Sequence, residues 1–143
     1  MLHKVSQKSF FIKAIYDWCT ECGYAPQLLV YYHPSCVLPK EFIDADNEVA
    51  FNISWEAVRD LKITPEYVSF EASFVGGMTG QQVFIPMPCI RGIYEGENAD
   101  GMMFDLAPDD LDKLETEYQN KIINQNQQEN AQKSQKPLFK RIK

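Results

Sequence analysis

The sequence predicts an α+β fold, mainly β, in which one helix precedes several short strands. Three observations carry this. Val68, Phe70, Ala72 and Phe74 alternate with Ser69, Glu71 and Ser73, the period of two expected of a half-buried strand. After the turn Gly76-Gly77-Met78-Thr79-Gly80, residues 82–87 resume the alternation, Val83, Ile85 and Met87 against Gln82 and Phe84. Near the N-terminus, Phe11, Ala14, Ile15, Trp18, Cys19 and Cys22 recur at spacings of three and four, one stripe of an amphipathic helix.

The elements follow in order. Ser9 is a candidate N-cap and Gly23 a candidate C′ residue for the helix. Phe10 and Tyr16 widen its apolar surface, enough either to cover the β body or to pair with a second copy. Residues 27–33 read as a strand, broken by Pro34-Ser35, and Val37-Leu38 as a short extended piece limited by Pro39. Residues 44–48 form a polar turn, and Val49, Phe51 and Ile53 mark another strand. Ser54 can cap a helical turn through Ala57 and Val58. In the central stretch Pro86 and Pro88 remove two donors, so the strand there ends or lies at an edge. Cys89 to Tyr94 is a further apolar run, residues 95–101 a polar loop, and Met102-Met103-Phe104 a return to the core.

Bulk properties narrow the function classes. A chain of 143 residues accommodates one domain and a tail. Its net charge of −6 argues against a general nucleic-acid binder. No apolar run approaches the roughly 20 residues of a membrane span, and the first residues lack a signal-peptide core. The expected location is cytoplasmic, with Cys19, Cys22, Cys36 and Cys89 reduced.

No motif assembles a catalytic centre. Trp18-Cys19-Thr20-Glu21-Cys22 has the spacing of a redox pair, but it falls in the last turns of its helix, where the dipole and Glu21 oppose a thiolate. Zinc would need two further ligands from Cys36, Cys89, His3 or His33, which form no second pair. The cysteines are therefore expected to act as small core hydrophobes, and no metal, cofactor or enzymatic activity is expected. Asp109-Asp110 reads as a solvated pair. More informative is the side of the central strands that carries Ser73, Gln82 and Phe84. An edge strand with such side chains can take an extended peptide by backbone pairing, or can simply be a partly wet sheet face.

The composition changes after Phe104. Between Thr116 and Gln135 half the residues are Asn or Gln, and residues 108–135 read as a flexible polar linker. The end, Lys136-Pro137-Leu138-Phe139-Lys140-Arg141-Ile142-Lys143, is basic and apolar at once, and reads either as a fraying terminus or as a short docking motif anchored by Leu138, Phe139 and Ile142.

These features, in their order, resemble the stringent starvation protein B family, whose members deliver tagged proteins to the ClpXP protease. The resemblance rests on Phe11-Ile12-Lys13-Ala14-Ile15-Tyr16-Asp17-Trp18, Pro26-Gln27-Leu28-Leu29-Val30, Pro39-Lys40-Glu41-Phe42 and Val49-Ala50-Phe51-Asn52-Ile53-Ser54. Further support comes from Phe70-Glu71-Ala72-Ser73-Phe74, Ile85-Pro86-Met87, Ile93-Tyr94, Glu97-Asn98, Gly101-Met102-Met103-Phe104 and the basic C-terminus.

The resemblance implies a small barrel-like body of two antiparallel sheets over residues 1–107, dimerised through the N-terminal helix by Phe11, Ile15 and Trp18. It also implies a disordered tail whose residues 136–143 dock on the N-terminal domain of ClpX. A groove for the ssrA tag is expected at Phe70, Ala72, Ser73, Phe74, Gln82, Phe84, Tyr94 and Met103. Two departures from the family pattern stand out. The family's Phe-Asn-Ala-Arg-Phe becomes Phe-Glu-Ala-Ser-Phe at Glu71 and Ser73, and Tyr94-Glu95-Gly96-Glu97-Asn98 lacks the arginine of Tyr-Ala-Arg-Glu-Asn.

Overall fold

The computed structural model describes residues 7–73 and 80–142, with side chains described through residue 127. The chain forms two compact units, Met1–Ala107 and Pro108–Lys143.

The first unit opens with helix α1, Lys8–Cys22. Ser9 is not its cap. Gln7 occupies the cap position without a side-chain bond, and Ser9 is turned inward, fully buried, its Oγ without a partner. Gly23 ends the helix in the left-handed conformation at φ 74°, a position that favours glycine. Its N–H donates to Thr20 O, and the Tyr24 N–H donates to Cys19 O at 2.8 Å.

Among the described residues, seven strands make two antiparallel sheets. Strands β1 (Pro26–Tyr31), β2 (Glu48–Asn52), β6 (Ile90–Glu95) and β7 (Gly101–Met103) form one, in the order β2-β1-β6-β7. Strands β3 (Val58–Ile63), β4 (Tyr67–Ala72) and β5 (Gln81–Pro86) form the other, in the order β3-β4-β5. The sheets do not close into a barrel. Pro86 and Pro88 lack donors, and the 3-10 turn Met87–Cys89 separates the β5 ladder from β6, which crosses to the other sheet.

The core lies between the sheets. Leu28, Val30 and Ile93 from one and Val68, Phe70, Val83 and Ile85 from the other are fully buried. Phe51 meets Phe70 edge to face, with ring centroids 5.7 Å apart. Each such side chain contributes about 1.5–3 kcal/mol through burial.

Several sequence expectations need correction. Strand β1 stops at Tyr31: the Tyr32 N–H still reaches Asn47 O at 2.9 Å, but the Asn47 N–H turns to Asp44 O at 3.1 Å and does not complete the pair. Residues 54–58 make a hydrogen-bonded turn, and Val58 opens β3 instead of closing a helix. Asp60 sits at φ 54° in a bulge between Arg59 and Lys62, which disrupts the period of two that would have revealed β3. Met103 does not return to the core: it is 59% exposed and its sulfur lies over Gly92, where a Cβ would collide with it. Cys22 is exposed, whereas Cys19, Cys36 and Cys89 are buried.

The second unit is helix α2, Pro108–Ile142, over a span whose Asn- and Gln-rich composition predicts an irregular tether. Its start is well specified. Proline is tolerated in the first turn, and Asp109 and Asp110 complement the positive end of the helix dipole. Among the described residues, no helix is long and apolar enough to cross a membrane.

Candidate functional site

The β4–β5 hairpin has two unlike faces. Register pairs Ser69 with Phe84 and Glu71 with Gln82, so these four share the face opposite Phe70, Val83 and Ile85. Tyr67 joins them, its ring 5.1 Å from that of Phe84 and tilted by 33°. Gln82 and Ser73 are exposed, Phe84, Tyr67 and Glu71 are half-buried, and Ser69 is buried. The result is an aromatic pair flanked by amide, hydroxyl and carboxylate groups. Such a surface can pack against an apolar side chain and pair with polar ones at alternate positions of an extended chain.

Strand β5 is an edge, and part of that edge is occupied. Val37 forms an isolated antiparallel bridge with Phe84: the Val37 N–H donates to Phe84 O at 2.8 Å and the Phe84 N–H to Val37 O at 2.9 Å. Pro86 offers no donor. Gln82, two positions from Phe84 in the other direction, has the same backbone orientation along the strand.

The residues expected in a groove fall into distinct groups. Gln82 and Phe84 are together on the outer hairpin face, and Ser73 is exposed just past the end of β4. Phe70 and Ala72 lie on the opposite, core-facing side, at 0% and 8% exposure. Phe74 lies outside the described residues. Tyr94 and Met103 are on the other sheet, on the face opposite Ile93, where Tyr94 pairs with Gly101 and Met103 with Gly92. Tyr67 was absent from the sequence expectation, although extending the alternation back by one pair from Ser69 would have found it.

The loop after Tyr94 is organised by Glu95. This carboxylate is 1% exposed and accepts three backbone N–H bonds, from Glu97 at 2.9 Å, Asn98 at 2.6 Å and Asp100 at 3.2 Å. Burial pushes its pKa up, but the three donors outweigh burial and hold it below the ordinary carboxylate value. Nothing in the sequence marks this role, since glutamate in a polar loop is usually solvated. Arg91, on the same strand, pairs with Glu48 at 3.2 Å and donates to Phe104 O at 3.3 Å, fastening β2 and β7 to β6.

Helix α1 presents a second candidate surface. Ile12 and Cys19 are buried, while Phe11, Ala14 and Trp18 are exposed on another side, with Ile15 half-buried beside them. Phe11 and Trp18 are 41% and 39% exposed, and Trp18 meets Tyr24 edge to face. The thiol of Cys19 is raised by burial, by Glu95 and by Cys22, the opposite of what a nucleophilic thiol needs. At the far end of α1 lies a recess of about 300 Å³ lined by Thr20, Tyr24, Asn52, Ser54 and Trp55 among others; it contains none of the expected site residues.

The profile of the family described as Stringent starvation protein B matches residues 6–141, which takes in α1, both sheets and nearly all of α2. This chain belongs to the stringent starvation protein B family. A stringent starvation protein B homolog of Haemophilus influenzae is 32% identical over 107 residues, covering 73% of this chain and 69% of that one. Within the family pattern, the departure at Glu71 falls on the outer hairpin face paired with Gln82, and that at Ser73 is exposed just past the end of β4. Glu95, at the second departure, is the buried acceptor that shapes its loop.

Proposed function

We propose that this chain is a non-enzymatic, cytoplasmic proteolysis adaptor. It holds an ssrA-type degradation tag in extended form against the outer β4–β5 face and brings the tagged protein to ClpXP through its C-terminal residues. The observation that carries this is the family match, which spans the body and the tail together. The accessible groups for the tag are Ser73, Gln82, Phe84 and Tyr67, with Glu71 selecting among tag side chains. Phe74 extends the proposed contact region, and Phe70 and Ala72 support it from beneath, whereas Tyr94 and Met103, on the far face of the other sheet, lie outside it.

The C-terminal residues Lys136, Pro137, Leu138, Phe139, Lys140, Arg141, Ile142 and Lys143 dock on the N-terminal domain of ClpX in this reading. Leu138, Phe139 and Ile142 supply apolar anchors. The basic side chains steer the encounter and weaken with salt. The 35-residue helix α2 is about 52 Å long at 1.5 Å per residue. A coil of about 28 residues reaches roughly 30 Å. Either form confines the tag near the protease and raises its effective concentration toward the millimolar range. Two chains joined through Phe11, Ile15 and Trp18 would offer two tails and add avidity. Delivery assays with residues 136–143 deleted test the scheme: tag binding persists and accelerated degradation disappears.

A second reading keeps the adaptor and changes the client. Glu71 places a carboxylate on the proposed contact face, next to Gln82. A peptide array that selects a sequence other than the ssrA tag would favour this reading.

A further inference from the structure

Among the described residues, the two sheets end in the edges of β2, β3, β5 and β7, and these differ in how far they are closed. On β5, Val37 and Pro86 close part of the edge. On β3, the bulge between Arg59 and Lys62 interrupts the pairing pattern. Strand β7 has three residues. Strand β2 is regular over Glu48–Asn52 and pairs with β1 along its whole length. The phase of that ladder fixes which groups face out. The Ile53 N–H donates to Pro26 O and the Tyr32 N–H to Asn47 O, both at 2.9 Å. Val49 and Phe51, in the same phase, therefore turn their backbone groups to β1, and Glu48, Ala50 and Asn52 turn theirs outward. Glu48 is already served: its N–H donates to Asp44 Oδ1 at 2.9 Å, and its carbonyl accepts from the Asp44 N–H at 2.8 Å. The outward N–H and C=O groups of Ala50 and Asn52 have no backbone partner among the described residues, and both residues are exposed.

The two ends of this open stretch carry the same charge. Beside its start, Asp44, Asp46 and Glu48 hold carboxylate oxygens within 4.8 Å of one another, and Arg91 pairs with Glu48. Past Asn52, the recess of about 300 Å³ has Asn52, Trp55 and Glu56 in its lining and no lysine or arginine. Trp55 is 70% exposed, an aromatic surface for the stem or the cation of a basic side chain.

We propose that β2 takes an extended, positively charged segment of a partner protein as an added strand. Backbone bonds at Ala50 and Asn52 hold the segment, and the carboxylates at either end select lysine or arginine there. The five residues of β2 span about 17 Å, so a partner segment of similar length fits the open stretch and its acidic flanks. Charge decides against a second copy of this chain as the occupant. Two β2 edges paired with each other would set acidic flank against acidic flank, and like charges across a strand pair are unfavourable. The site lies on a different sheet from the outer β4–β5 face, so it stands apart from the proposed tag contact.

The test uses the folded full-length chain and a labelled probe peptide, Lys-Val-Thr-Val-Thr-Val-Lys. Anisotropy reads its binding, and nuclear magnetic resonance reads amide exchange at Ala50 and Asn52. The expected result is saturable, salt-weakened binding that slows exchange at both amides. Binding should weaken about tenfold when the internal residues of the peptide are N-methylated, which keeps its charge and removes its donors. The same loss is expected when its lysines become glutamates, or in Glu56→Lys, a change at an exposed position. Equal binding of the N-methylated peptide would reduce the contact to charge alone and overturn the proposal. So would the absence of saturable binding, or protection at β3 or β5 in place of β2. Slow exchange at Ala50 and Asn52 that rises with protein concentration, with no peptide present, would make a second copy the occupant and overturn it as well. Displacement of the probe by the ssrA-tag peptide would merge the two sites and contradict a separate one. The wild-type measurements decide the question even where a variant fails to fold.

Discussion

Val37 and Phe84 exchange both backbone hydrogen bonds, at 2.8 and 2.9 Å, across the outer edge of β5. This single bridge connects a proline-bounded segment to the strand whose outer face carries Gln82 and the Phe84–Tyr67 ring pair. It closes part of the edge, and Pro86 removes a donor from another part. A ligand on this hairpin therefore has to use side-chain contacts on the sheet face as well as any edge pairing near Gln82.

Phe84 and Phe70 should respond differently to truncation. Phe84→Ala is expected to weaken tag binding about tenfold, or about 1.4 kcal/mol, with little change in melting temperature. Phe70→Ala empties a fully buried site against Phe51 and is expected to cost about 3–5 kcal/mol of stability. Peptide titration and denaturant unfolding on both variants separate the two effects. Equal losses of stability would assign Phe84 to the core.

The exposed side of α1 predicts self-association. Trp18→Glu should shift sedimentation toward the monomer while leaving circular dichroism unchanged, because Trp18 is only partly covered in one chain. Ile12→Glu should instead unfold the body by burying an unpaired charge. A wild-type chain that sediments as a monomer at all concentrations would remove the dimer from the scheme.

Glu95 predicts a pH dependence with a defined sign. Its folded pKa is depressed, so folding favours the ionised form. The stabilisation is fully present above the unfolded value of about 4.3 and is lost as pH falls through the lower folded value. Glu95→Gln puts an amide donor against the N–H groups of Glu97, Asn98 or Asp100, and should lower the melting temperature at neutral pH. The gap from wild type should narrow as acid protonates Glu95. A gap that stays constant with pH would contradict the assignment.

Gly101 predicts a tight steric limit. A Cβ there would collide with Ile93 O and the backbone of Tyr94. Gly101→Ala should detach β7 and speed amide exchange at the β6–β7 pairs, which nuclear magnetic resonance can read residue by residue.

How much of this was legible beforehand depended on periodicity. The strands around Phe70 and Val83 declared themselves because one face is buried and the alternation is unbroken. Strand β3 stayed hidden because the Asp60 bulge shifts its register midway. The stripe of α1 was visible, but its partition was not: spacing cannot tell that Ile12 and Cys19 face the body while Phe11 and Trp18 face outward. Ser9 looked like a cap because serine often is one; its inward rotation is set by tertiary packing. On the candidate site, alternation correctly put Gln82 and Phe84 on one face. It could not show that Tyr94 and Met103 belong to a different sheet, since strand order is decided by the crossover after Pro86. Glu95 carried no local signal, because its three partners come from the loop it folds.

The central claim is tested most directly by fluorescence anisotropy of a labelled ssrA-tag peptide titrated with the folded full-length chain. The account predicts saturable binding at one peptide per chain, weakened by Phe84→Ala and unaffected by deletion of residues 136–143. The absence of saturable binding by a sample shown to be folded would contradict it.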